Sequence, residues 1–239
     1  MLKYYSDAEY GSQCLRDINL FPHYNPYKSW DTYKMIKIIR NSDRNSYVLD
    51  VGCNQSPILV MLRRLGFSNL YGCDLTLKTK YPISILKFAG SFYKRDYKPI
   101  LEMYENKTYR LSIQNLENTN YPNKIFDYIT SLSVIEHGVN LSRYYMEMNR
   151  ILKKGGYLLT STDYWPTKIV NTKKAISCNT ADNIFDRYEI EEMLHIAEQN
   201  GFALTEPLDY TYREKVVHWK LTGLDYTFIF FALKKERDI

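Results

Sequence analysis

Asp50, Gly52 and Asp74 lie in one short stretch whose spacing suggests chemistry. The apolar residues Tyr47–Val51 read as a strand, and Gly52-Cys53-Asn54 as a tight turn after it. Ser56-Pro57 reads as a helix N-cap followed by proline at the first helical position. Ile58, Met61, Leu62 and Leu65 then recur at helical spacing, and Gly66 ends the helix. A second strand over 69–73 delivers Asp74 about 20 residues past the turn, the separation found in nucleotide-binding α/β domains. Such a turn presents backbone N–H groups and a helix N-terminus to a ligand. A carboxylate on the next strand can accept hydrogen bonds from both hydroxyls of a ribose. These residues predict a site for an adenosine-containing cofactor.

Two further groups could act on a second molecule. Glu136-His137 follows the apolar run Phe126–Leu132, and an imidazole with a pKa of about 6.5 suits removal of a proton from a hydroxyl. Asp163-Tyr164-Trp165 follows another apolar run, where an acid and two aromatics suit a substrate wall. His23, His195 and His218 have no paired ligands in sequence. The cysteines at 14, 53, 73 and 178 show no C-x-x-C spacing, so no metal site and no disulfide framework is expected. Lys87, Lys94, Arg95 and Lys98 read as a solvated basic face.

The elements that must position these groups follow from periodicity. Residues 1–28 read as turn-rich and aromatic, with Pro22 and Pro26 against a long helix. A helix is expected from Ser29, with Ser29 as N-cap and Trp30, Tyr33 and Ile36 on one face. Strands are expected at Arg110–Ile113, Phe126–Leu132 and 157–162. Between the last two, Leu141, Tyr144, Tyr145, Met148, Ile151 and Leu152 form an apolar helix face, closed by Lys153-Lys154-Gly155-Gly156. Residues 164–185 read as an irregular insertion. Asp186-Arg187-Tyr188-Glu189 forms a capping box ahead of another helix. Phe202–Leu204 and 226–233 complete the strands. Strands alternating with helices imply a mainly parallel sheet, with ligands at the carboxyl ends of its strands.

Composition is that of an ordinary globular chain: 239 residues, 45% hydrophobic, 25% charged, net charge +5. The N-terminus lacks an apolar signal-peptide core, and no apolar run approaches the roughly 18 residues of a membrane span. A cytoplasmic setting is expected.

Taken in order, the strand–turn–acid segment, Phe126-Asp127-Tyr128-Ile129-Thr130, Val134-Ile135-Glu136-His137 and Arg150-Ile151-Leu152-Lys153-Lys154-Gly155-Gly156-Tyr157-Leu158-Leu159 resemble the class I S-adenosylmethionine-dependent methyltransferases, in their small-molecule branch. The resemblance covers roughly residues 46–162, with a weaker echo at 184–204. It implies a Rossmann-like α/β fold: a seven-stranded, mostly parallel sheet with helices on both faces and an antiparallel last strand. Residues 46–239 would form that domain, with the insertion near 164–185, and residues 1–45 a helical, aromatic cap. The implied cofactor is S-adenosyl-L-methionine. Asp50, Gly52, Cys53 and Asn54 would approach its methionine part, and Asp74 with Leu75 its ribose. Asn115 and Leu116 would lie near its adenine, and Ser131 and Leu132 near its sulfonium.

His137 and Asp163 are then the catalytic candidates, and Tyr164 and Trp165 the substrate-binding ones. The expected reaction is O-methylation of a small molecule or glycan precursor by direct displacement. The alternatives are a non-catalytic methyltransferase-like binding module and an RNA methyltransferase. Ser131-Leu132-Ser133-Val134 stands where enzymes that methylate nucleic-acid amines carry Asn-Pro-Pro-Tyr, which argues against a nucleic-acid acceptor. The turn departs from the family pattern: Asn54 and Ser56 stand where glycines are usual. Asn tolerates left-handed backbone better than most residues, and Ser56 can cap the helix.

Overall fold

The computed structural model describes residues 1–77, 102–103, 108–171, 182–220 and 222–239. The basic stretch Lys87–Lys98, Cys178 and residues 172–181 of the expected insertion lie outside the described residues.

Among the described residues, helices Tyr5–Asp17 (α1), Ser29–Ile39 (α2), Ile58–Arg64 (α3), Leu141–Ile151 (α4) and Arg187–Gln199 (α5) alternate with eight strands. The strands are Tyr47–Val51 (β1), Asn69–Asp74 (β2), Arg110–Ile113 (β3), Phe126–Leu132 (β4), Leu152–Tyr164 (β5), Phe202–Leu204 (β6), Val217–Trp219 (β7) and Leu224–Lys235 (β8). The sheet order is β3-β2-β1-β4-β5-β8-β6. β3, β2, β1, β4 and β5 are mutually parallel, and β8 is antiparallel to both β5 and β6. Seven strands make the expected path with its antiparallel last strand. β7 is an addition, a short hairpin arm on β8. Among the described residues, no helix is long and apolar enough to cross a membrane.

Strand alternation divides the core between two faces. Leu49, Val51, Ile129 and Leu158 pack with α4 and α5 through Tyr144, Tyr145, Met148, Ile190 and Met193. Val48, Leu70, Leu132 and Leu159 pack on the other face with Leu15 of α1, Met35 and Ile36 of α2, and Met61 and Leu62 of α3. The chain order reverses between β1 and β4, so the edge outside the carboxyl ends of these strands is the ligand crevice of such sheets. Gly52, Asp74, Asn115, Ser131–His137 and Asp163 all collect there.

Three local features differ from the sequence reading. Residues 5–17 are helical, because Pro22 and Pro26 lie beyond the end of α1. Asp7 caps its first turn by accepting from the amides of Lys3 and Tyr4 at 3.0 and 2.9 Å. Ser29 is the first residue of α2 rather than its cap, and its hydroxyl accepts from the His23 amide at 3.1 Å. The cation that meets the C-terminal carbonyls of α4 is the buried Lys235 of β8. Its ammonium donates to the carbonyls of Asn149 and Leu152 at 2.7 and 2.9 Å. Lys153 turns instead to both carboxylate oxygens of Asp127, each at 2.8 Å.

Candidate functional site

The donor side of the edge is built by the turn after β1. Gly52 has φ +68°, a left-handed conformation that favours glycine, and its amide donates to the Cys73 carbonyl at 2.8 Å. A Cβ on Gly52 would lie 2.4 Å from Cγ2 of Val134, so the turn after β1 and the turn after β4 touch at this position. Cys53–Gln55 forms one 3₁₀ turn; Pro57 rather than Ser56 takes the N-cap position of α3, and the Ser56 hydroxyl, one residue earlier, accepts from the Ile58 amide at 3.3 Å. Asn54 is not left-handed. Its backbone amide donates to Oδ2 of Asp74 at 3.3 Å and its side-chain amide to the Thr76 carbonyl. The replacement of glycine by Asn54 thus ties the turn to the end of β2 through a side chain that glycine lacks.

Asp74 is half-buried at the tip of β2, and its Oδ1 accepts from the Thr76 amide at 3.4 Å. Asp50 is fully buried one turn deeper, where its Oδ1 accepts from the Thr130 hydroxyl at 2.6 Å and links β1 to β4. Burial pushes its carboxyl up to about 7, against the stabilising hydroxyls of Ser56 and Thr130. Cys53 and Cys73 are buried beside this turn, and burial pushes both thiols up, which favours the neutral form.

Asn115 and Leu116 sit just past β3. Asn115 Oδ1 accepts from the Glu117 amide at 3.0 Å, and Leu116 packs in the core. Leu75 is exposed. The half-buried carboxylate of Asp74 at the tip of β2 is therefore the group here best suited to the ribose end of an S-adenosyl group. At the adenine end, the Asn115 carbonyl oxygen is engaged in its own turn, so the side chain's acceptor is less suited to the base.

The acceptor side begins where β4 ends. Ser131 and Leu132 are buried, and the hydroxyls of Ser131 and Thr160 face that of Tyr144 beneath the floor. Ser133 is left-handed at φ +54° and donates its amide to the Ser161 carbonyl at 2.9 Å. The 3₁₀ turn Ile135–His137 follows. His137 Nδ1 lies 2.6 Å from Oδ1 of the buried Asp182, with the imidazole one-third exposed. Glu136 is buried and accepts from the Thr162 hydroxyl at 2.9 Å. Asp163 is buried beside it and is hydrogen-bonded to the Tyr226 hydroxyl. Burial, then the Glu136 carboxylate, push the Asp163 carboxyl well above the ordinary range.

Asp163 and Tyr164 point to opposite faces of β5. The Tyr164 ring is fully buried in the α4–α5 core, which removes it from the substrate wall. Trp165 is partly buried against Tyr212, ring centroids 5.2 Å apart, on the strap that leads to β7. Sequence reading missed Lys28, Asp31, Asp182 and Tyr226. Lys28 and Asp31 come from outside the patterned region, Asp182 from the stretch without periodicity, and Tyr226 from a β8 position that only the antiparallel register brings alongside Asp163.

A methyltransferase-domain family matches residues 27–206, and the chain belongs to it, as a class I S-adenosylmethionine-dependent methyltransferase. Over 117 residues it is 32% identical to the mitochondrial ubiquinone biosynthesis O-methyltransferase of Dictyostelium discoideum, a match that spans 48% of this chain and 34% of that protein. It is 25% identical over 195 residues to the demethylmenaquinone methyltransferase of Tropheryma whipplei (strain Twist), with 74% of each chain covered. In fold it is similar to the geranyl diphosphate C-methyltransferase of Streptomyces coelicolor A3(2), with a TM-score of 0.61 at 16% identity, over 95% of this chain and 84% of that one. The family uses S-adenosylmethionine as its cofactor.

Proposed function

We propose that the chain methylates a hydroxyl oxygen on a small molecule, a glycan precursor included, by direct displacement. The observation that carries this reading is the pairing of His137, on the turn that leaves β4, with Asp182 at 2.6 Å. Bound S-adenosylmethionine supplies an activated methyl group on a sulfonium. Asp74 holds the ribose hydroxyls, and the turn after β1 approaches the methionine part, where Gly52 lets the backbone come close. Asp182 orients the imidazole through Nδ1, so His137 takes the acceptor's hydroxyl proton at Nε2. Asp163, kept protonated by its burial and by Glu136, donates a hydrogen bond to a polar group of the acceptor. An oxygen acceptor also agrees with the name of the Dictyostelium relative, an O-methyltransferase. Residues 1–45 act as the cap segment: α1 and α2 pack on one face of the sheet, and Lys28 and Asp31 reach this edge.

Transfer of a labelled methyl group to a panel of phenols, quinols and sugar derivatives tests the proposal. The expected product is a methyl ether, and His137→Ala should slow its formation by about 10²–10⁴-fold while binding of S-adenosylhomocysteine is retained. Products methylated on nitrogen or carbon, or full activity in His137→Ala, would overturn it.

A further inference from the structure

Lys28 is buried where the N-terminal segment meets the acceptor edge, at the end of the short 3₁₀ turn Pro26–Lys28. An ammonium has three N–H donors. One goes to Oδ2 of the fully buried Asp31 at 3.2 Å, and one to the hydroxyl of Ser133. The ammonium also lies 3.3 Å from the centroid of the Phe228 ring, a cation–π contact. Two of the three donors are thus spent inside the protein, and the Phe228 ring covers the charge. Asp31 extends the contact. Its Oδ2 also accepts from the Ser161 hydroxyl at 2.6 Å, and Ser161 holds the Ser133 amide through its carbonyl at 2.9 Å.

Ser133 is thus gripped twice, by its amide and by its hydroxyl, in a left-handed conformation that a non-glycine residue avoids. Directly after it come Val134, which fills the space over Gly52, and the turn that carries His137. We propose that Lys28 is a positioning residue: through Ser133 it sets the turn after β4, and so places His137 and Val134 relative to the donor site. The cap is then part of the catalytic apparatus as well as a cover. The catalytic consequence rests on the methyl-transfer reading; the control of turn geometry does not.

Removing Lys28 alone would leave Asp31 as an unpaired buried carboxylate and could unfold the protein. The test therefore uses Lys28→Met with Asp31→Asn, which removes both charges, and adds Ser133→Gly as a third change. Glycine takes the left-handed conformation unaided. Two readouts are made on the full chain with S-adenosylhomocysteine bound. In NMR spectra, the Ser133–His137 amide signals should shift in the double variant and return towards wild type in the triple variant. With the acceptor found by the methyl-transfer panel, kcat should fall about 10–100-fold in the double variant and recover in part in the triple. Binding of S-adenosylhomocysteine should change little in either variant.

Unmoved signals at 133–137 in a folded double variant would overturn the proposal and leave Lys28 as a staple for stability alone. The proposal fails equally if the signals shift but Ser133→Gly restores neither them nor turnover. If the wild type transfers no methyl group to any acceptor, the methyl-transfer reading fails, while the NMR readout still decides the role of Lys28.

Discussion

Replacing Asp74 with alanine removes a carboxylate from the tip of β2 and takes nothing from the core. The hydrogen bonds it accepts from Asn54 and Thr76 are long, at 3.3 and 3.4 Å, and the side chain is half-buried. Loss of such bonds should lower stability by at most about 1 kcal/mol. Loss of a charged acceptor for two ribose hydroxyls should weaken cofactor binding by about 1.5–3 kcal/mol. That is roughly a 10- to 150-fold rise in Kd. Urea unfolding without ligand measures the first effect, and titration calorimetry with S-adenosylhomocysteine the second. Asp74→Asn keeps one acceptor oxygen and should fall between wild type and alanine. A Kd for Asp74→Ala within about twofold of wild type, a difference of under about 0.5 kcal/mol, would refute the ribose assignment. A large loss of stability would instead show that Asp74 mainly holds the turn.

Three further outcomes follow from the same geometry. Gly52→Ala combines a left-handed backbone with a Cβ 2.4 Å from Val134; it should cost about 2–4 kcal/mol in urea unfolding, and a cost near zero would mean that the two turns do not meet as described. Asp50 binds its proton up to about pH 7 in the native state but only to about pH 4 when unfolded. Between these values the folded chain holds the extra proton, so stability should fall as pH rises through this window, and Asp50→Asn should flatten that slope; an unchanged slope in the variant would count against a buried, protonated Asp50. Lys235→Met strips donors from two carbonyls at the end of α4 and should cost about 2–3 kcal/mol in thermal or urea unfolding, whereas an equal loss from Lys153→Met would return the capping role to the lysines next in sequence.

The proposed donor half of the site was legible because it is local. Gly52, Asp74 and the start of α3 at Ile58 lie within one strand–turn–helix–strand unit, where backbone geometry follows from nearby residue types. The reason for Asn54 was not legible there. The residue is right-handed, and it bridges to Thr76 rather than imitating glycine's backbone freedom. The proposed acceptor half is assembled from distant segments. Tyr164 looked like a substrate wall next to Asp163, yet strand alternation turns it into the core.

By itself the sequence determined the class of fold and the turn and acid proposed to hold the cofactor, because periodic apolar residues dictate strands and helices, and short-range spacing dictates the turn and its acid. Only the tertiary structure decided which side chains gather around His137 and Asp163. Lys28 and Asp31 arrive from the N-terminal segment, Asp182 from a stretch without pattern, and Tyr226 through the antiparallel pairing of β8 with β5. Their grouping is a matter of chain path and register, and those are fixed by burying both faces of the sheet, not by the types of neighbouring residues.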